Sequence, residues 1–156
     1  MDNTTKTFNI VVEYCKNHGT LLTEKRKYIL KALIESDKAL SAYELVDFIK
    51  EKYQQYIPVM SIYRILTFLE KKHLIYKFNI SARYISLNCS HFLNSTQCNC
   101  QFIICNKCNK VEKINFQEKF MKNINSSVKE VNFKLIRSQI EMVCLCNNCL
   151  QEPEIT

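Results

Sequence analysis

The segments QFIICNKCNK (101–110) and CLCNNC (144–149) decide how the second half of this chain folds. Each carries a Cys-x-x-Cys knuckle, and 37 residues (109–145) lie between them. Cys105, Cys108, Cys146 and Cys149 present four thiolates in two tight turns, each pair able to hold one side of a single ion at a Zn–S distance of about 2.3 Å. Four protein sulfurs leave no position open for water or substrate, so the zinc they imply is structural and the chain is not expected to be an enzyme. Such a site contributes on the order of 10 kcal/mol to folding. A thioredoxin-type dithiol would close a strand and open a helix. Here NKVEKI follows Cys108 and predicts a return strand instead. Between the knuckles, FQEKFMKNINSSVKEV places Phe116, Phe120, Ile124 and Val128 in steps of four, a helix, and NFKLIRSQIEMV alternates apolar and polar, a strand.

Outward from the knuckles, cysteine usage divides the chain. The first 88 residues hold only Cys15, the last 68 hold eight cysteines, and two units of 1–87 and 88–156 are expected. A hydrophobic content of 47% over 156 residues suits a packed core rather than disorder. No apolar stretch of about 18 residues is present to cross a bilayer, and MDNTTKTFNI lacks the basic start and apolar run of a secretory leader. A cytoplasmic protein is expected, with no membrane partner. In a reducing compartment, nine cysteines are not expected to form a disulfide framework, and those at metal spacing read as ligands. The net charge of +7 is compatible with a polyanionic partner, but the excess is spread along the chain, 13 basic against 9 acidic residues in 1–82 and 9 against 6 in 83–156. A solvated basic surface would give the same count, so charge alone does not choose.

The first unit reads as helices. TKTFNIVVEYCKNH (5–18) aligns Phe8, Val11, Val12 and Cys15 on one face, with Gly19 as the stop. In LTEKRKYILKALIES, Thr23 is placed to cap a second helix, although Arg26 stands where a capping box has Glu. Ser41 and Glu44 form a complete capping box for a third helix, SAYELVDFIKEKY, and beyond the Pro58 break MSIYRILTFLEKK (60–72) makes a fourth. LIYKFNI and ARYISL then predict a short hairpin. Helices followed by a hairpin give the order of a winged helix-turn-helix. Its recognition helix would enter a major groove by its N-terminal residues, here Ser61, Tyr63 and Arg64. Arg suits guanine O6/N7, and hydroxyls suit phosphates or base edges. On the helix alone, a core-packed Tyr63 and a solvated Arg64 fit equally well. Cys15 reads as core, Cys144 as a non-ligand, and His18 and His73 as helix-end residues without a metal role.

Taken together, LTEKRKYIL, LSAYEL, SIYRIL with FLEKKHLIYK, FIICNKCNKVEKI and the terminal CNNC resemble the ferric uptake regulator family of metal-sensing repressors over essentially the whole chain, and its zinc uptake branch most. The resemblance implies an α+β protein: an N-terminal winged-helix DNA-binding domain and a C-terminal α/β dimerisation domain with a four-cysteine zinc site. It implies a homodimer that binds double-stranded operator DNA when loaded with metal, and it adds Tyr43 to Ser61, Tyr63 and Arg64 as DNA contacts. Iron-type members carry a His cluster before the first knuckle and a His before the third helix, where this chain has CNCQ (98–101) and Ala39. Nearby stand Cys89, His91, Cys98 and Cys100, soft ligands that favour zinc over iron or manganese and form the candidate regulatory site. The zinc branch usually has His at the position of Tyr76 and an acid at that of Lys113, and this chain departs from both. The expectation is a zinc-responsive repressor of zinc uptake genes carrying a structural and a regulatory zinc. The alternatives are a redox or other-metal sensor of the same family, or a zinc-storage or thiol-exchange protein without a DNA target.

Overall fold

The computed structural model describes residues 3–87, 100–136 and 140–151. The chain divides into two compact units, Met1–Ser95 and Thr96–Thr156. The first is built from helices α1 (Asn3–Asn17), α2 (Glu24–Glu35), α3 (Ala42–Tyr53) and α4 (Val59–Lys71), followed by strands β1 (Ile75–Phe78) and β2 (Arg83–Ser86). The apolar stripes predicted from periodicity meet in one core. Val11 and Cys15 of α1, Ile29, Leu30 and Leu33 of α2, Leu45 and Ile49 of α3, and Ile62, Leu66 and Leu69 of α4 are all buried.

Helix ends show how a chain with a single glycine closes its helices. Gly19, at φ 64°, ends α1 in a Schellman motif, Thr20 N–H bonding Cys15 O at 2.8 Å and Gly19 N–H bonding Lys16 O at 3.2 Å. A Cβ there would meet nothing within 4 Å, so the left-handed backbone, not space, requires the glycine. His73, at φ 57°, ends α4 in the same way, with Leu74 N–H to Leu69 O at 3.0 Å and His73 N–H to Glu70 O at 2.9 Å. The capping box of α3 is present as read: Glu44 N–H to Ser41 Oγ at 3.2 Å and Ser41 N–H to Glu44 Oε2 at 2.7 Å. Thr23 bears out the reading in position only. It holds the N-cap position of α2, but its side chain makes no capping bond. Arg26, three residues on, donates back to Leu21 O at 2.7 Å and lies 3.5 Å over the Phe68 ring of α4.

Strands β1 and β2 pair antiparallel, from Ile75 opposite Ser86 to Phe78 opposite Arg83. Leu40, just before α3, joins β2 through two backbone bonds with Tyr84, at 3.0 and 2.8 Å. This third, one-residue strand anchors the hairpin to the helices and completes a winged helix-turn-helix.

The second unit runs β3 (Cys100–Cys105), β4 (Val111–Asn115), α5 (Glu118–Glu130), β5 (Glu141–Cys144) and α6 (Asn147–Gln151). Its sheet has the order β4-β3-β5, β3 antiparallel to β4 and parallel to β5. The return strand after the first knuckle and the helix between the knuckles were read correctly. The alternating run from Asn132 is a shorter strand than its pattern suggests. Asn132, at φ 61°, ends α5, with Phe133 N–H bonding Val128 O at 3.0 Å, and the strand starts only at Glu141. An Asn that tolerates the left-handed region turns the chain where the pattern alone predicts extension.

Candidate metal centre and nucleic-acid interface

Parallel pairing of β3 and β5 sets Cys105 opposite Cys144, the two strands ending side by side. Asn106 N–H bonds Cys144 O at 2.8 Å and Cys146 N–H approaches Cys105 Sγ at 3.4 Å, so the two knuckles face each other across the sheet end. The first knuckle is bent back by Asn109, at φ 61°, with Asn109 N–H to Cys105 O at 3.0 Å. The second runs into α6, where Leu150 N–H bonds Cys146 O at 2.9 Å. Four sulfurs, of Cys105, Cys108, Cys146 and Cys149, converge within 4.8 Å of one another. The Cys108 and Cys146 sulfurs are 3.6 Å apart. A regular tetrahedron with Zn–S about 2.3 Å has S–S edges of ~3.8 Å, so the spacing fits one zinc.

The donor chemistry fits as well. The Cys108 backbone N–H, assisted by those of Cys146 and Lys107, lowers the Cys105 thiol to about 6 against its burial. Hydrogen bonding with Cys146, together with burial and the other two thiols, pushes Cys149 up to about 12. Such a cage concentrates more negative charge than its thiols can carry together, and a divalent cation relieves that by replacing the shared protons. Cys144, half-buried, stands outside the four-sulfur cluster.

Of the regulatory candidates, Cys89, His91 and Cys98 lie outside the described residues. Cys100 opens β3, paired with Asn115. Tyr76 and Lys113, where the chain departs from the zinc branch, sit on β1 and β4: Tyr76 is half-buried and packs edge-on to Phe78, with ring centroids 5.0 Å apart, and Lys113 is exposed.

On α4, one face is spent on the core through Ile62, Leu66 and Leu69. The other presents Met60, Tyr63, Arg64 and Thr67 to solvent, while Ser61 is half-buried. Tyr43, in the first turn of α3, is 65% exposed. Tyr63 thus stands on the solvent face rather than in the core. Arg83 was missed by the sequence reading: it forms an ion pair with Glu44 and donates to Ala39 O at 3.0 Å. The bridge between Leu40 and Tyr84, a tertiary pairing, brings the neighbouring Ala39 and Arg83 together.

A winged helix-turn-helix joined in one chain to a unit closed by a four-thiol metal cage defines a class of metal-binding proteins with a helix free to enter a DNA groove. The ferric uptake regulator family model matches residues 17–143. The chain belongs to the ferric uptake regulator family. That match stops short of the second knuckle, which the β3–β5 pairing joins to the first. The chain is 28% identical over 137 residues to the zinc uptake regulation protein of Escherichia coli (strain K12), covering 88% of this chain and 77% of that one. It is 31% identical over 143 residues to the ferric uptake regulation protein of Helicobacter pylori (strain ATCC 700392 / 26695), covering 89% and 87%. In fold it is similar to a zinc uptake regulator solved with zinc and DNA, at a TM-score of 0.79 and 23% identity over 96% of this chain and 97% of that one.

Proposed function

We propose that this protein is a dimeric, zinc-responsive transcriptional repressor acting in the cytoplasm on operators of zinc uptake genes. In this reading residues 1–87 bind DNA and 88–156 dimerise and hold metal. The observation that carries it is the pairing of a solvent-facing α4, with Tyr63 and Arg64 exposed, and a four-sulfur cage of zinc dimensions. Likeness to the zinc uptake regulator solved with zinc and DNA supports the choice of effector and partner. So does the thiol-rich segment containing Cys89, His91, Cys98 and Cys100.

Dimerisation is supported by what the second unit leaves uncovered. Helix α5 buries none of its residues, the Phe116 and Phe120 rings pack at a tilt with centroids 4.6 Å apart, and Phe120, Val131, Phe133 and Ile136 are exposed. A second copy of the same face would remove this apolar surface from water. Cys105, Cys108, Cys146 and Cys149 would hold a structural zinc that closes the sheet end. Cys89, His91, Cys98 and Cys100 would hold a weaker, exchangeable zinc whose preference for the DNA-competent geometry shifts the dimer towards it. Tyr43, Ser61, Tyr63 and Arg64 would then meet the operator, Arg64 reading a base and the hydroxyls seating the backbone.

The test is binding to a duplex selected from random sequences by the zinc-loaded protein, titrated at fixed free zinc and after a mild chelator, with zinc per chain measured in each sample. Chelation should remove one zinc and DNA binding while one zinc and the dimer persist. Cys89→Ser, His91→Ala and at least one of Cys98→Ser and Cys100→Ser should reproduce that state. An unchanged zinc response in all four variants would refute zinc sensing at this site.

A further inference from the structure

Three features tie the start of α3 to the wing. Leu40 exchanges two backbone hydrogen bonds with Tyr84. Arg83, beside Tyr84 on β2, donates from Nη1 to Ala39 O at 3.0 Å. The same guanidinium pairs with the Glu44 carboxylate, whose other task is the capping box with Ser41. The Arg83 side chain is 20% exposed and that of Glu44 37%, so the pair is partly withdrawn from water. Three consecutive links, wing to guanidinium, guanidinium to carboxylate and carboxylate to Ser41, therefore converge on the first turn of α3, where Tyr43 is the exposed neighbour of Glu44. The Arg83 cation, spent on Glu44 and a carbonyl, is not held out towards solvent.

We propose that Arg83 is a positioning residue for DNA recognition, a clamp that locks the wing to the N-terminus of α3 and so fixes Tyr43 for the operator without itself touching DNA. This rests on the DNA-binding reading above. The clamp acts on specificity because a side chain on the first turn of a helix follows every change in the angle at which the chain enters it. The capping box alone sets the helix start but does not relate it to β2. Beyond the Leu40–Tyr84 backbone bonds, the guanidinium does both, since it holds the carbonyl before the helix and the carboxylate inside it. Both contacts leave one nitrogen, Nη1, so the planar fork is not used and a lysine ammonium, with three donors of its own, keeps the chemistry while shortening the reach.

Arg83→Gln, Arg83→Lys, Glu44→Gln and the Arg83→Gln/Glu44→Gln pair should be compared with the parent, zinc-loaded, full-length protein on its own selected duplex and on a scrambled one, over a range of salt. Thermal unfolding of each variant separates loss of fold from loss of positioning. Arg83→Gln is expected to weaken selected-duplex binding about ten-fold while scrambled-duplex binding and the salt slope stay unchanged. Arg83→Lys, which keeps one multiply donating nitrogen, should recover part of the loss. The pair should be no worse than the more affected single variant, because both break one clamp. Overturning results are a salt slope lowered by about one, which makes Arg83 a phosphate contact; equal losses on both duplexes; full additivity; or parent-like selectivity. If the parent protein itself prefers no duplex, the DNA-binding reading fails and takes the clamp with it. Any of the other results removes the clamp and leaves that reading standing.

Discussion

Replacing Cys149 by Ser tests whether the second unit is held together by metal. Among the described residues of that unit, the buried apolar side chains are Phe102, Ile104, Cys105 and Cys149, and α5 contributes none. Phe102 and Ile104 contribute about 1.5–3 kcal/mol each by burial. A tetrathiolate zinc contributes on the order of 10–16 kcal/mol, more than this described core, so metal is the larger stabilising term. Removing one of four ligands forfeits roughly a quarter of that, about 3 kcal/mol or ~100-fold in zinc affinity, before any loss from the sulfur left unscreened beside Cys146. Ser cannot substitute, since zinc displaces the proton of a thiol far more readily than that of a much less acidic hydroxyl. Cys149→Ser, and Cys105→Ser likewise, should release its zinc to a chelator concentration that the parent tolerates.

Three readouts belong together: zinc per chain by metal analysis, oligomeric state by sedimentation, and amide exchange of the β3 and β5 residues. Loss of zinc should bring loss of protection at Phe102–Cys105 and loss of the dimer, while the helices of the first unit, which have their own core, keep their protection. A zinc-free Cys149→Ser protein that stays dimeric with β3 amides still protected would refute the structural role of the cage.

Arg64→Ala should weaken binding to the selected duplex by about 1–3 kcal/mol and relax the preference at one base position, read by titrating single-base variants of the duplex; unchanged affinity and preference would remove α4 as the reader. Phe120→Glu places a carboxylate in the exposed apolar face of α5 and should raise the dimer dissociation constant at least ~100-fold, the desolvation penalty of a buried charge being several kcal/mol; a dimer of parent strength by sedimentation would place the interface elsewhere. Burial pushes Glu35 up, but the Tyr53 hydroxyl at 2.6 Å and Lys52 at 2.9 Å outweigh it and hold the carboxyl below its ordinary 4.5. Because the folded value is depressed, this stabilisation is fully present above about pH 4.5 and is lost as the pH falls through the lower folded value. Acid unfolding of the first unit followed by circular dichroism should therefore be shallower in Glu35→Gln, and an unaltered acid limb would show that the pair carries no linkage.

How much of this could be read from the sequence depended on the range of the interaction. Periodicity located the four helices of the first unit, because the stripe of Ile62, Leu66 and Leu69 must face a core whatever its neighbours are. The Ser41 and Glu44 box was legible because both partners lie within three residues. Thr23 misled for a matching reason: the residue type fits a cap, but Arg26 has turned to Leu21 and Phe68, and the box that would have fixed the turn was never there. The helix end at His73 was read correctly, while that at Asn132 was illegible, since a chain with one glycine must use other residues in the left-handed region and nothing local says which.

The metal cage was legible in its ligands and not in its support. Two knuckles announce four sulfurs, but the β3–β5 pairing that brings them together spans a crossover from 105 to 144 that no local pattern shows. The same holds for the wing. Its strands follow from alternation, yet the bond from Arg83 to Ala39, 44 positions apart, exists only because Leu40 has joined the hairpin as a third strand. Residue type thus identifies the groups that would meet zinc or DNA, while their orientation is set by tertiary pairings invisible to spacing. Variants of the supporting residues should accordingly move selectivity more than overall affinity, whereas variants of the contacting residues should move both.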